Sequence, residues 1–444
     1  MKKVIFITML AVCSLSMQAQ FSGQGSGTEK DPYQITNADQ LFEVRNDLTA
    51  YYKVMNDIDL GIWINEENPK QGWASIGTDS NPFMGVFDGN NKTIKGLYIN
   101  RPNMNSQGFF GYVKSAIVKN ICLLNPLVTG NNNVGPIVGT SYNENGNPSD
   151  ISNNVVIGGI VTGENNVGGI MGLATAPSVA SYIITGNFSS AKVQGTSYIG
   201  GISGYVKSRY SWGDYVNAQV LYNVFYGDVV GTNYVGGILG SLNNEDYGTT
   251  YSSIMGNLFG GTIKGSGQTH GLAGQITGID VAKKISKNVC CADTITSGDI
   301  PYRFSNVAGV DNYSYAGTIV LTNNKTINVE DDEYNGTSMG LNSLRRKNTY
   351  IGLGYDFATQ WDIVEGQSFP YKFGQSAPCK VSSFASGSRG KITGTAEKNG
   401  IVYVFIGKNL YESYVVDGQW EVVLPNTSVG TEARVVVSTN GMMP

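Results

Sequence analysis

A single histidine, His270, stands in a chain of 444 residues, and it limits the chemistry open to the protein. An HExxH zinc site needs two histidines on one helical face, so that site is excluded. A Ser–His–Asp triad would have to use His270. That residue sits where equivalent positions of a repeat carry glycine, so it reads as a worn repeat position at a bend. Carboxylates are the other candidates, because polysaccharide lyases and glycosidases use acidic clusters, sometimes calcium, and a basic residue that takes a proton. Asp57, Asp59, Asp88, Asp214, Asp246 and the run Glu330-Asp-Asp-Glu333 are the acids to weigh. The first three lie in blocks that read as capped bends, and the run reads as a solvated loop rather than a calcium site. No catalytic constellation, metal site or cofactor is expected.

Binding chemistry has better material. Tyr205, Arg209, Tyr210, Trp212 and Tyr215 cluster in one segment, with Lys207 among them, and Tyr247 and Tyr251 in another. Exposed rings beside charged and amide groups suit sugar rings or a protein surface. Their alternative role is to pack loops onto the flank of the fold. Both segments belong to a set, 140–152, 173–182, 205–219 and 241–253, that varies between otherwise regular units and should line up on one face.

The regular units run from Asn120 to Gly274. Each opens with Asn and an apolar residue: Asn120-Ile121, Asn154-Val155, Asn187-Phe188, Asn223-Val224, Asn257-Leu258 and, partially, Asn288-Val289. Each closes on a Gly-rich hexapeptide such as Val167-Gly-Gly-Ile-Met-Gly172 or Val235-Gly-Gly-Ile-Leu-Gly240. The closings start at 134, 167, 199, 235 and 269, so they lie 33, 32, 36 and 34 residues apart. A fixed period in this range marks a solenoid, whose units bury apolar faces only by stacking. Short β-branched segments cut by Gly read as strands and tight bends.

One unit should therefore make one coil of a right-handed parallel β-helix, with coils about 4.8 Å apart. The Asn column should form a side-chain ladder that serves backbone groups left unpaired at a bend. The residue after each Asn should point inward. Small residues follow at Gly158, Ala191, Gly227, Gly261 and Ala292, then inward apolar residues at Val193, Val229 and Ile263.

Residues 1–19 read as a secretory signal peptide, with Lys2 and Lys3 before an apolar run and small residues ending at Ala19. A lipoprotein at Cys13 is the alternative, which Val12 before it disfavours. No later segment is apolar for the ~20 residues a membrane span needs. Charged residues make up only 14% of the chain and the net charge is −4, so no basic patch for nucleic acid exists. Cys122 and Cys290 lie five units apart, roughly 24 Å at one coil each, too far for a disulfide. They and Cys291 should be buried thiols acting as small apolar residues; Cys379 stays open.

Ahead of the units, Asn37–Leu48 reads as a short helix with Leu41, Val44 and Leu48 on one side, covering the first coil. Asp31-Pro-Tyr33, Asn56-Asp-Ile-Asp-Leu60, Trp73-Ala-Ser-Ile-Gly77, Phe83-Met-Gly-Val-Phe-Asp-Gly-Asn90 and Gly108-Phe-Phe-Gly111 resemble the leader of GLUG-repeat surface proteins of Bacteroidetes, and the hexapeptides resemble the repeat itself. Tyr355-Asp-Phe357, Trp361-Asp-Ile363 and Gly366-Gln-Ser-Phe-Pro-Tyr371 are similar to the block that closes such arrays. The resemblance spans residues 25–372. It implies an exported β-solenoid, often adhesive, without implying one activity; the metallopeptidase chemistry of some members would lack its histidines here. Residues 377–444 carry short alternating strands and resemble a small bacterial Ig-like β-sandwich.

The expectation is an all-β chain divided into signal peptide (1–19), N-terminal cap and first coils (20–119), repeat solenoid (120–300), C-terminal solenoid cap (301–376) and Ig-like sandwich (377–444). It would be secreted or attached to the cell surface, associated with the outer membrane, and bind an extracellular glycan or a host or bacterial surface protein without catalysis. A carbohydrate-active β-helix enzyme and a structural part of a surface fibre or outer-membrane assembly are the rival readings.

Overall fold

The computed structural model describes residues 21–68, 70–143, 148–176, 180–209, 216–245, 252–277, 284–358, 361–363, 370–372, 379–385, 390–396, 400–406, 409–416, 418–424 and 434–439. Residues 1–19, expected from sequence to be a signal peptide, and Cys13 among them lie outside these.

Parallel strands stack into a β-solenoid whose coils visit four sheets in turn, of seventeen, five, six and nine strands. One coil shows the order: Cys122–Leu124 and Leu127–Thr129 join the seventeen-stranded sheet, Asn132–Val134 the five-stranded, Val138–Tyr142 the six-stranded and Ser149–Ser152 the nine-stranded. The nine-stranded sheet spans eight steps, roughly 38 Å at about 4.8 Å each. Every hexapeptide aligns with the next: Val134 pairs with Val167, Val167 with Ile199, Ile199 with Val235 and Val235 with Thr269. Ile137, Ile170, Ile202, Ile238 and Leu272 stack in the core.

Val155, Phe188, Val224, Leu258 and Val289 form one line of register partners. Beside it runs the expected ladder of buried asparagines: Asn154, Asn187, Asn223, Asn257, Asn288 and Asn312. Each Nδ2 donates to the next Oδ1 at 3.0–3.1 Å. Each Oδ1 also accepts the preceding Asn backbone N–H.

Two expectations need correction here. Asn120 does not belong to the ladder. Cys122 pairs with Val155, so Ile121 takes the ladder position and donates its backbone N–H to Asn154 Oδ1. Asn120 sits one place earlier, at φ 56°, among residues in left-handed backbone such as Asn153 and Tyr222. Likewise Gly159, whose φ is 83°, takes the tight position assigned to Gly158; a Cβ there would lie 2.3 Å from Pro126 O.

The second correction concerns direction. The residue after each ladder Asn faces out of the coil, and the one after that faces in: Leu123, Val156, Phe225, Phe259 and Cys290 join the core, whereas Cys122, Phe188, Val224, Leu258, Val289 and Cys291 form a second cluster. Leu344, Tyr350, Leu353, Tyr355 and Trp361 cover that cluster. They come from two short helices, Leu341–Leu344 and Lys347–Ile351, and the chain after them. Tyr355 Oη donates to Gly256 O at 3.0 Å and Tyr226 Oη to Pro370 O at 3.2 Å. These residues were expected over the final coil; they lie as a strap along the flank.

At the other end, Asn37 Oδ1 accepts the Gln40 N–H and starts the helix Ala38–Glu43, shorter than the expected Asn37–Leu48; Leu41 lies in it, Val44 in the 3-10 turn Val44–Asn46 and Leu48 beyond, and all three are buried. Trp73 stacks on Phe109 at 5.4 Å, and the Arg45 guanidinium lies 3.7 Å over Phe42. At the far edge of the six-stranded sheet, Ala273–Thr277 is the last strand. The Asn306 side chain bonds it like a missing neighbour, accepting from Ile276 N at 2.8 Å and donating to Ile276 O at 2.9 Å. Six described strands between Cys379 and Thr439 form two three-stranded antiparallel sheets around Ile392, Val402, Val404, Trp420, Val422 and Leu424, a small sandwich with its own core. Among the described residues no helix is long and apolar enough to cross a membrane.

Candidate functional site

The five-stranded sheet shows two outward columns along the solenoid axis. One is Asn132, Asn165, Ser197 and Asn233, joined by register. The other holds Asn133, Asn166, Tyr198 and Tyr234, at φ 60°, 56°, 62° and 55°. Left-handed backbone at this corner lets the final Gly of the next hexapeptide close in. A Cβ on Gly172, Gly204, Gly240 or Gly274 would lie 2.3–2.4 Å from the carbonyl carbon of Asn133, Asn166, Tyr198 or Tyr234 respectively. That contact explains the invariant last letter of the hexapeptide.

Amides link the first rungs. Asn132 Nδ2 donates to Asn105 Oδ1, Asn165 Nδ2 to Asn132 Oδ1 and Asn166 Nδ2 to Asn133 Oδ1, at 2.7–3.1 Å. Rings take over at the third rung. Tyr198 stacks on Tyr205 at 4.6 Å and 8°, and on Tyr234 at 4.9 Å and 11°. Tyr205 Oη accepts from Asn243 Nδ2 at 3.2 Å, and Asn243 Oδ1 accepts from Thr277 Oγ1 at 2.8 Å. All three rings are half-buried. Burial, with the neighbouring phenols Tyr205 and Tyr234, raises the Tyr198 pKa. Tyr112 and Tyr142 lie 6.3 Å apart on the outer face of the adjoining six-stranded sheet, with Lys114 5.9 Å over Tyr142.

Of the residues proposed from sequence, Tyr205 belongs to this face, within the strand Ser203–Arg209 rather than in a loop. Arg209 ends that strand and pairs with Glu245 in register. Tyr210, Trp212, Tyr215, Tyr247 and Tyr251 lie outside the described residues, as do Asp214 and Asp246. Much of each variable segment is strand, so the true connections are shorter; all run from the six-stranded to the nine-stranded sheet. Tyr198 and Tyr234 were missed because they sit inside the regular repeat. Their signal was a ring at the column position where the two preceding units carry Asn.

His270 is 2% exposed. Its Nδ1 accepts the Tyr302 N–H at 3.1 Å, so the proton sits on Nε2, and Nε2 has no partner. Burial holds its pKa down at about 4. Asp59 and Asp88 cap local turns, accepting the Gly61 and Asn90 N–H groups, whereas Asp57 Oδ1 reaches the neighbouring coil and accepts the Thr93 N–H, each at 2.8 Å. In the acidic run, Asp332 Oδ1 accepts two backbone N–H groups and Asp331 Oδ2 one. Cys122, Cys290 and Cys291 are buried thiols outside any disulfide, and burial pushes Cys122 and Cys290 up to about 12.

A second concave feature is a cleft of about 830 Å³ lined by Asp59, Lys95, Tyr98 and Leu127 of the solenoid and Tyr411 and Glu421 of the sandwich. Its two carboxylates each have a lysine, Asp59 with Lys95 at 3.4 Å and Glu421 with Lys391 at 2.8 Å.

No family model matches the chain. A relative in Evansella cellulosilytica, named "Putative Gly-rich membrane protein", is 32% identical over 162 residues, covering 32% of this chain and 18% of that protein. Halomucin of Haloquadratum walsbyi is 35% identical over 125 residues, covering 26% of this chain and 1% of its own length. The chain thus spans a small part of either relative. A solved structure titled as a putative immunoglobulin A1 protease from Bacteroides ovatus superposes with a TM-score of 0.49 at 20% identity, over 79% of this chain and 94% of that one.

Proposed function

We propose that this chain is an exported, cell-surface β-solenoid of the GLUG-repeat type that binds an extracellular glycan or surface protein and catalyses no reaction. The observation that supports it is the half-buried stack of Tyr205, Tyr198 and Tyr234 continuing an amide ladder on one solenoid face. Two of these rings stand on left-handed backbone, a conformation bulky residues seldom hold and one that gathers at ligand sites. The names of the relatives, a putative Gly-rich membrane protein and Halomucin, agree with a surface location. The test is a glycan and matrix-protein binding array on the full chain, repeated with Tyr205→Ala and Trp212→Ala. Binding that either variant weakens supports the reading; an array without any binding overturns it.

The cleft favours one second reading, a carbohydrate-active enzyme with Asp59 and Glu421 as its carboxylates. Each acid is paired with a lysine, Asp59 with Lys95 and Glu421 with Lys391. Depolymerisation of a polysaccharide by the full chain, abolished by Asp59→Asn or Glu421→Gln, would establish this reading over the first.

A further inference from the structure

We infer that the corner formed by Asn132, Asn165, Tyr198 and Tyr234 is a binding track for one extended, uncharged polysaccharide chain lying along the solenoid axis. The inference rests on the binding role proposed above and names its ligand.

Local stability argues against tyrosine at this corner. Asn133 and Asn166 hold the same left-handed backbone at low cost, and their amides bond to each other. Tyr198 holds it at φ 62°, and a phenol there offers Asn166 no amide donor. Asn166 Oδ1 is accordingly buried without a partner, a second cost on top of the backbone. Tyr222, also at positive φ, is explained by packing, since it meets Tyr355 beneath the strap at 6.1 Å. Among the described residues Tyr198 and Tyr234 lie under no such strap; Tyr198 stacks on Tyr205 and Tyr234, and the rings remain half-exposed. Stacking of the rings on one another offsets part of these two penalties, and a contact outside the fold accounts for the remainder.

The chemistry of the track selects the ligand. None of the eight residues in the two columns is charged: they are Asn, Asn, Ser, Asn and Asn, Asn, Tyr, Tyr. Tyr198 stacks on both other rings, so the track presents ring edges, hydroxyls and the free hydrogens and lone pairs of the amides beside the remaining faces of Tyr205 and Tyr234. A protein partner needs a desolvated apolar pocket, and the described residues of this track form none. A peptide adding as a strand needs an open edge, and the columns lie on the face of a sheet whose inner strands are paired on both sides. Hydroxyl-rich neutral sugars fit, because donors and acceptors recur every coil, about 4.8 Å, close to the advance of one pyranose ring in an extended chain. The ladders hold these groups in place beforehand, which lowers the ordering cost of binding.

The test uses the full chain with neutral β-linked oligosaccharides from disaccharide to octasaccharide, and with a uronic-acid polysaccharide as charged control. Affinity should rise with chain length over several rings and be weak for the charged polymer. The double variant Tyr198→Asn, Tyr234→Asn copies the neighbouring coils, so it should melt no lower than the native protein and bind at least tenfold more weakly. Tyr198→Phe with Tyr234→Phe, which keeps the stack and removes the hydroxyls, should lose about tenfold, two hydrogen bonds' worth. Unchanged affinity in the Asn variant, affinity independent of length, or preference for the charged polymer would each overturn the track. Binding to a surface protein but to no sugar would overturn it while leaving the broader binding role standing; binding to nothing would remove both.

Discussion

Asn223 makes four side-chain hydrogen bonds inside the solenoid: it donates to Asn257 Oδ1 and Ile184 O, and accepts from the backbone and side chain of Asn187. Alanine there would orphan buried groups on both neighbouring coils, so Asn223→Ala should cost about 3–5 kcal/mol in urea unfolding. Asn120→Ala, outside the ladder, should cost only about 1 kcal/mol; equal losses would mean the ladder is not the stabilising device. His270 makes a different demand. Its folded pKa is about 4 against an ordinary 6.5, so the unfolded chain takes up a proton that the folded one refuses. Stability from this residue is full above pH 6.5 and falls by about 3 kcal/mol as pH drops to 4. His270→Gly, the residue used in the matching positions 200 and 236, should flatten that part of the pH profile in thermal melts; a profile identical to the native one would refute the assignment.

At the level of elements, the strap over the flank is the part least visible beforehand, and its trace was nevertheless in the chain. A strand with one wet face alternates, but these strands carry apolar pairs: Val155-Val156, Val224-Phe225, Leu258-Phe259 and Val289-Cys290. Such pairs mean cover on both faces, and reading only the inner face assigned the wrong member of each pair to the core. The coil period, the hexapeptide register and the helix Ala38–Glu43 were legible because each depends on local spacing. The strap and the ring stack were not, because each depends on which coil lies beside which. Trp361 is fully buried and 4.6 Å from Tyr355. Trp361→Ala should therefore free the strap at a cost of about 3–5 kcal/mol. Amide exchange should speed up around Gly256–Leu258 while Leu239–Glu245 on the six-stranded sheet stays protected. Uniform acceleration across both would show that the strap is inseparable from the coils.

For the whole molecule, a stack of coils is a series of nearest-neighbour contacts, so its stability is close to a sum over adjacent pairs. Each end is then a surface competent to receive another coil, and an exposed strand edge invites a second chain. Asn306 meets the last strand of the six-stranded sheet with both ends of its amide. With the Phe304 carbonyl, which accepts the Ala273 N–H at 3.1 Å, that side chain acts as the full stop of a sentence that could otherwise run on into its own copies. Replacing it by alanine should turn a monodisperse solution into growing filaments visible by light scattering, and a variant that stays monomeric when concentrated would place the terminator elsewhere.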